Sequence, residues 1–332
     1  MTPAIIIDSG SANTKLGSTG DEEPQAVLPT VSISDKKTRL IERGLVTNWD
    51  EIEKFWQHCI ENELKMDPTQ NPIFLTEPPL NPQKDRERQA TMLFEKFNTP
   101  KMSFGFQPVL ALYAYGKMAG FVLDIGYGTM QAVPCEAGFF VPKSYKRSNH
   151  AGQDLDFRLK EMMQSKGCDV SLEVASDIKE KLCYATQDYD AEMKKAEDNK
   201  QYKLPDGKEI AIGRERFQCP EHLFQPQLGG SDVPSVQKLV CDAVETQGDK
   251  TMFENIVLTG GSTMFPGIKE WIEKEITALL HSQKVIIQAH DTRKFSSFIG
   301  SAILTALPTF EPLWITKQQY EEIGTGVVAK IE

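Results

Sequence analysis

Short apolar runs that break abruptly into small and charged residues recur along the chain. The first is AIIIDSGSANTK at 4–15, where Ala4 to Ile7 are apolar and Asp8, Gly10, Ser11, Ala12 and Lys15 follow. A β-branched run this short predicts a buried strand. The second is FVLDIGYGT at 121–129, again an apolar run into Asp124, Gly126, Tyr127, Gly128 and Thr129. The third is NIVLTGGSTMFPG at 255–267, where a strand meets Gly260-Gly261 and Pro266 reads as an early residue of the next helix. The first two are copies of one strand–turn unit, an internal duplication.

Between these runs the periodicity switches between strand and helix. After a polar turn at 17–23, QAVLP at 25–29 is a short strand. Thr47 or Asn48 caps a helix through roughly Lys65, with Asp50 and Glu51 in its first turn. Trp49, Ile52, Trp56, Ile60 and Leu64 fall near helical spacing and face the core. NPIFLTEPPLNP at 71–82 is a strand ending in a proline-rich turn, and Asp85 to Phe97 a helix whose alternating charges predict a solvated face. Gln107-Pro108 opens the helix VLALYAYG, since proline suits a first helical turn. From His150 the chain is polar and helical, with a long segment at 172–197 ending in the charge run AEMKKAEDNK. YKLPDG and KEIAIG are short strands around a P-D-G turn at 205–207, helices resume near Val236, and Trp314 is followed by a polar tail.

Composition narrows the class. The 332 residues suffice for one large or two medium domains, with 40% apolar and 25% charged residues as in a soluble globular protein. A formal net charge of −10 argues against general affinity for nucleic acid or an anionic membrane surface. No apolar run reaches membrane-spanning length, and the N-terminus lacks a signal peptide's basic and apolar regions. The six cysteines form no C-x-x-C pair and the five histidines are scattered, so buried reduced thiols are expected rather than a zinc site.

The turns suggest anion chemistry. Gly10, with the small Ser9 and Ser11, allows a tight turn whose backbone N–H groups converge on an anion, and Lys15 adds a point charge. Asp8, at the strand's end, is placed to hold a hydrated divalent cation beside it. A strand followed by D-x-G also fits an ordinary hairpin, but the return of the pattern favours a polyphosphate clamp. Two such hairpins facing each other across a cleft would supply Asp8 and Asp124 to one metal.

These stretches, with others, resemble actin and the actin-related proteins. The similarity extends to RGLVTNWDEIEKFW at 43–56, FLTEPPLNPQKDRE at 74–87, FEKFNTP at 94–100, QPVLALYAYG at 107–116, AGQDL at 151–155, DIKEKLCY at 177–184, LPDGKEIAIGRERFQCPEHLFQP at 204–226, VLTGGSTMFPGI at 257–268 and RKFSSFIGSAILTALPTFEPLWITKQQY at 293–320. It covers nearly the whole chain in order. The resemblance implies an α/β, actin-like two-lobed fold of the Hsp70 and sugar-kinase superfamily: a duplicated mixed β-sheet with flanking helices and nucleotide in the central cleft. The implied division is 1–114 plus 296–332 as the first lobe, 115–150 plus 229–295 as the base of the second, and 151–228 as its upper part. Only 30–42 bridges the place where actins carry a small subdomain with a filament-contact tip loop, so that subdomain is expected to be absent.

The resemblance also implies ATP with Mg2+ or Ca2+. Asp8, Gly10, Ser11, Ala12 and Lys15 match the first phosphate loop, and Asp124, Gly126, Tyr127, Gly128 and Thr129 lie on the second, with Asp8 and Asp124 holding the metal through water. Lys179 and Glu180 match positions near ribose and adenine. Gly260, Gly261, Ser262, Met264 and Phe265 match the adenosine turn, and Lys294 a lysine beside the base. Phe265 replaces a family tyrosine and Ser176 a family arginine. Of the family's water-positioning pair, Gln107 is kept and Gln131 replaces a histidine, while Tyr127 replaces an aspartate. Gln131 orients water but is no base near neutrality, so stable ATP binding with slow or absent turnover is expected.

Partners are expected at the family's apolar cleft, near Ala114, Tyr115, Leu304, Leu307 and Leu313, for which ordinary core packing is the competing reading. The loop LGGSDVPS at 228–235 is shorter and less apolar than the family's interstrand plug. The expectation is a cytoplasmic, cytoskeletal subunit of a larger assembly, with axonemal and nuclear settings also compatible, and actin or other actin-like subunits among its partners. The alternative is a filament-forming cytoskeletal ATPase with altered contacts. A sugar kinase or Hsp70-type chaperone lacks support, for no second-substrate motif or appended peptide-binding domain is seen.

Overall fold

The computed structural model describes residues 2–280 and 284–330. The chain divides into two compact units, one of Met1–Val122, Cys135–Pro142 and Thr292–Glu332, the other of Leu123–Pro134 and Lys143–Asp291. No helix of the described residues is long and apolar enough to cross a membrane.

The first unit is built on a six-stranded sheet. Its strands are β1 (Ile5–Ser9), β2 (Asn13–Ser18), β3 (Ala26–Pro29), β4 (Ile73–Glu77) and β5 (Lys101–Phe106), closed at one edge by Ile315–Thr316. β1, β4 and β5 run parallel, whereas β1–β2–β3 is an antiparallel meander. Apolar residues fill β1 because both sheet faces are covered. Ile5 and Ile7 enter one core with Ile52, Trp56, Leu93 and Phe94, while Ala4 and Ile6 enter another with Phe74, Leu110, Phe298 and Trp314.

Helix α1 (Trp49–His58) is capped by Asn48, whose side chain accepts from the Glu51 amide, and continues as a π-helical turn, Cys59–Glu63. Ile52, Trp56, Ile60 and Leu64 are buried as their spacing predicts, and Trp49 is half-buried. Helix α2 (Gln83–Thr91) has its expected solvated face at Lys84 and Arg88, but Arg86 is buried. Its Nη2 and Nε reach the carboxylate oxygens of the buried Glu77 at 2.7 and 3.0 Å, so the charge faces an internal partner instead of water. Helix α3 (Gln107–Ala114) carries Pro108 in its first turn and packs on the helix Ser296–Ala306. The approach is so close that a Cβ on Gly300 would stand 1.8 Å from the Leu110 carbonyl oxygen.

The expected polar tail is instead docked. Thr316 and Gln319 cap the helix Lys317–Ile323, Tyr320 stacks on Phe94 at 4.8 Å between centroids, and Val327 and Val328 join the core. Two valines and an aromatic among many polar residues suffice to bury a tail when a core is open to receive them.

The second unit holds the Leu123–Pro134 part of a hairpin, β6 (Gly120–Ile125) and β7 (Met130–Glu136), with the short β8 (Lys146–Ser148) antiparallel on β7. β9 (Ile256–Thr259) lies on β6, followed by Ile287–Gln288. Helices α4 (Gly152–Ser165) and α5 (Leu172–Leu182) pack together. Lys200–Lys203 and Glu209–Ile212 form the hairpin around the P-D-G turn, and Val236–Gln247 is helical as expected.

Two sequence expectations fail here. The segment 172–197 is broken: α5 ends at Leu182, and a separate helix, Tyr189–Lys194, begins after Asp188 caps it. The cause is tertiary, since the amides of Tyr184 and Ala185 donate to the carbonyls of Arg216 and Pro266 rather than back along a helix. Pro266 itself precedes the next helix, which runs Ile268–Leu280. None of the six cysteines is in a disulfide, and Cys59, Cys135, Cys183 and Cys219 are buried.

Candidate nucleotide-contact residues

The candidate residues form two groups, one in each unit. In the first unit, antiparallel pairing sets Asp8 across from Lys15. That register brings Lys15 Nζ to 3.1 Å from Asp8 Oδ2. The other oxygen, Oδ1, accepts from Thr76 Oγ1 at 2.6 Å and Gln107 Nε2 at 3.2 Å. Asp8 is 1% exposed, so these donors replace its water. Thr76 was not foreseen; a lone hydroxyl within the apolar β4 run FLTE was the available signal.

A hydroxyl network fixes the turn from behind. Trp56 Nε1 and Thr14 Oγ1 both donate to Ser9 Oγ at 3.1 Å, and Thr14 contacts Thr30 Oγ1 at 2.9 Å. Ser11 Oγ accepts from the Gly44 amide at 3.0 Å, and the Ser11 carbonyl from Arg39 Nη1 at 3.0 Å. The Gly10 amide donates to the Asn13 carbonyl, and the half-buried Ala12 offers its carbonyl to the Thr30 amide. Lys294, also in this unit, is exposed with its ammonium 4.8 Å from the Phe295 ring centroid.

In the second unit the turn after β6 is tied to α4 and to the glycine turn after β9. The Gly152 and Gln153 amides donate to the Gly126 and Tyr127 carbonyls, and Ser262 Oγ donates to the Gly126 carbonyl at 2.8 Å. Gly260 adopts φ +92°, and a Cβ there would stand 2.4 Å from the Ile125 oxygen and 2.5 Å from Asp124 Oδ1. This glycine is required by protein packing. At Gly261, by contrast, an added Cβ meets nothing within 4 Å. Phe265 is buried, and Met264 half-buried.

Gln131 Nε2 reaches Asp124 Oδ2 at 3.2 Å and Thr129 Oγ1 at 3.4 Å. Lys179 is turned inward: its Nζ lies 2.6 Å from Asp156 Oδ1 and 3.0 Å from the Gly152 carbonyl oxygen, and 5.3 Å from the Tyr127 ring centroid. Three directions suit an ammonium's three donors. Asp156, absent from the sequence expectations, lies two residues after Asp154 in α4. Glu180 is exposed and Ser176 half-buried.

Of the partner-surface candidates, all in the first unit, Leu307 and Leu313 are 45% and 61% exposed, whereas Leu304 packs partly on the core. Ala114 and Tyr115 are half-buried.

The two hairpins, the mixed sheets with flanking helices and the aspartates held at each turn agree with the family resemblance. A family model described as Actin matches residues 36–172 and again 169–331, together most of the chain. The chain belongs to the actin family.

Proposed function

We propose that this actin-family chain binds Mg-ATP as a structural ligand, turns it over slowly or not at all, and serves as a fixed subunit of a larger cytoskeletal, axonemal or chromatin-associated assembly. The observation that carries this is a shared arrangement in the two units: Gln107 and Gln131 each direct an amide nitrogen at a turn aspartate, both at 3.2 Å. Neither glutamine has a titrating proton near neutrality, and phosphoryl transfer depends on positioning the nucleophile.

The residues fit a polyphosphate ligand. The Lys15 side chain is 19% exposed beside the Gly10–Ser11 turn and has donors beyond the one aimed at Asp8. Gly261 borders open space, where a ligand approaches backbone without obstruction. We assign Asp8, Gly10, Ser11, Ala12 and Lys15, with Asp124, Gly126, Tyr127, Gly128 and Thr129, to the phosphates, and Asp8 and Asp124 to magnesium through water. Gly260, Gly261, Ser262, Met264, Phe265, Glu180 and Lys294 are assigned to the nucleoside, with Lys179 acting on it through the Tyr127 turn. Bound magnesium supplies charge neutralisation of the phosphates. Ligand bound only by the folded chain stabilises it by mass action. Exposed Leu307 and Leu313 suit an apolar partner surface, and membership of the actin family supports a cytoplasmic, cytoskeletal setting as part of this reading.

The deciding experiment identifies the nucleotide in freshly purified protein by acid quench and chromatography. Mainly ATP is expected. Mainly ADP would overturn slow turnover and favour a filament-forming ATPase, and no nucleotide would overturn ATP binding.

A further inference from the structure

Pairing of β8 with β7 sets Arg147 directly across from Gln131. Tyr145 lies two residues before Arg147, the spacing at which side chains of an extended chain share a face. Its hydroxyl stands 2.8 Å from Gln131 Oε1. The Arg147 side chain also hydrogen-bonds the Tyr145 hydroxyl. A guanidinium has only donors. The phenol oxygen therefore accepts from Arg147 and directs its own proton to Gln131 Oε1. With that carbonyl oxygen turned to Tyr145, the NH2 group of Gln131 faces Asp124 Oδ2 and Thr129 Oγ1, at 3.2 and 3.4 Å. The chain Arg147–Tyr145–Gln131–Asp124 is thus polarised in one direction, from guanidinium to carboxylate, within one unit. Burial pushes the Tyr145 hydroxyl up to about 12, so it remains a donor at any physiological pH.

We propose that Tyr145 is a positioning residue that holds the carbonyl oxygen of Gln131 turned toward itself, fixing the NH2 group as a clamp on Asp124, so that the amide end facing Asp124 and Thr129 offers an attacking water no acceptor. An attacking water is activated by donating its proton to an acceptor, and the amide NH2 of Gln131 only donates. This rests on the ATP-binding reading above, and gives slow turnover a cause in a residue outside the phosphate turns. Removing the hydroxyl lets the Gln131 amide turn its oxygen toward the turn while leaving Asp124 in place.

The test has one readout with nucleotide and one without. In ATP-loaded protein, Tyr145→Phe is expected to raise single-turnover phosphate release several-fold at unchanged ATP affinity, and Gln131→Ala combined with it to abolish the rise. In nucleotide-free protein, Tyr145→Phe and Gln131→Ala are each expected to lower the unfolding midpoint, and the double variant to fall short of their sum, because both remove one hydrogen bond. Unchanged release in a Tyr145→Phe protein that holds ATP, or additive midpoint losses, would overturn the proposal. Failure of both wild type and variant to bind ATP would overturn the ATP reading, and the nucleotide-free cycle would still decide the Tyr145–Gln131 link.

Discussion

Lys179 Nζ lies 2.6 Å from Asp156 Oδ1, and the two side chains are 5% and 1% exposed. The pair joins α5 to α4, and the Gly152 carbonyl and Tyr127 ring complete the surroundings of the ammonium. A lysine so enclosed serves the fold first. Removing one partner of a buried ion pair leaves the other unpaired, at a cost of about 3 kcal/mol. Lys179→Met and Asp156→Asn are each expected to destabilise the nucleotide-free protein by that order in denaturant unfolding. A Lys179→Met protein with an unchanged midpoint would return Lys179 to direct nucleotide contact.

Glu221 gives a pH dependence. It is 1% exposed; Oε1 accepts from Gln225 at 2.7 Å, and Oε2 has no hydrogen-bond partner among the described residues. Burial, helped by the nearby Glu275 and opposed by Gln225 and Lys274, raises its carboxyl from 4.5 to about 7. Because the folded value lies above the unfolded one, the fold disfavours the charged form. The group's stabilising contribution is present below about pH 4 and is lost as pH rises through 7. Glu221→Gln is therefore expected to stabilise the protein by about 2 kcal/mol at pH 8. The gap should narrow at pH 5, measured by urea unfolding at each pH. A gap independent of pH would show that Glu221 is not buried as a charged group.

The elements carried by local pattern were legible in the sequence. β1 and β6 announce themselves as apolar runs ending in Asp and Gly, and the α1 cap and core spacing follow from Asn48 and the tryptophan periodicity. What the sequence hid depends on partners far along the chain. The break at 183–188 exists because carbonyls of Arg216 and Pro266 take the amides. The link from Tyr145 to Gln131 needs the register of a three-residue strand that no periodicity reveals. Arg86 reads as one charge among many until Glu77 is found beneath it.

The exposed leucines separate partner surface from core. Leu313 is 61% exposed and Leu307 45%, while Leu304 is partly buried against the core of Phe74 and Phe298. Leu313→Asp and Leu307→Asp should each shift stability by no more than about 0.5 kcal/mol, as surface substitutions do. Leu304→Asp should cost about 2 kcal/mol by placing a carboxylate against apolar side chains. Thermal unfolding of the three variants checks this. Large losses at 307 or 313 would make those leucines core after all.

The adjacent glycines Gly260 and Gly261 are expected to fail in different ways. At Gly260 the backbone sits at φ +92°, and a Cβ would collide with the Ile125 carbonyl and Asp124 Oδ1 at 2.4 and 2.5 Å. The Ile125 carbonyl is backbone and φ is positive, so Gly260→Ala should destabilise the fold by about 3 kcal/mol and push the Asp124 carboxylate aside. At Gly261 the Cβ enters open space, so Gly261→Ala should leave nucleotide-free unfolding nearly unchanged. If ATP lies against this turn, the same methyl group intrudes on it. A tenfold loss of ATP affinity, about 1.4 kcal/mol, is then expected in equilibrium titration with a fluorescent ATP analogue. A Gly261→Ala protein that binds ATP as tightly as wild type would remove this turn from the nucleotide site. It would leave Gly260 as a packing glycine and place the ligand's contacts on the other turns.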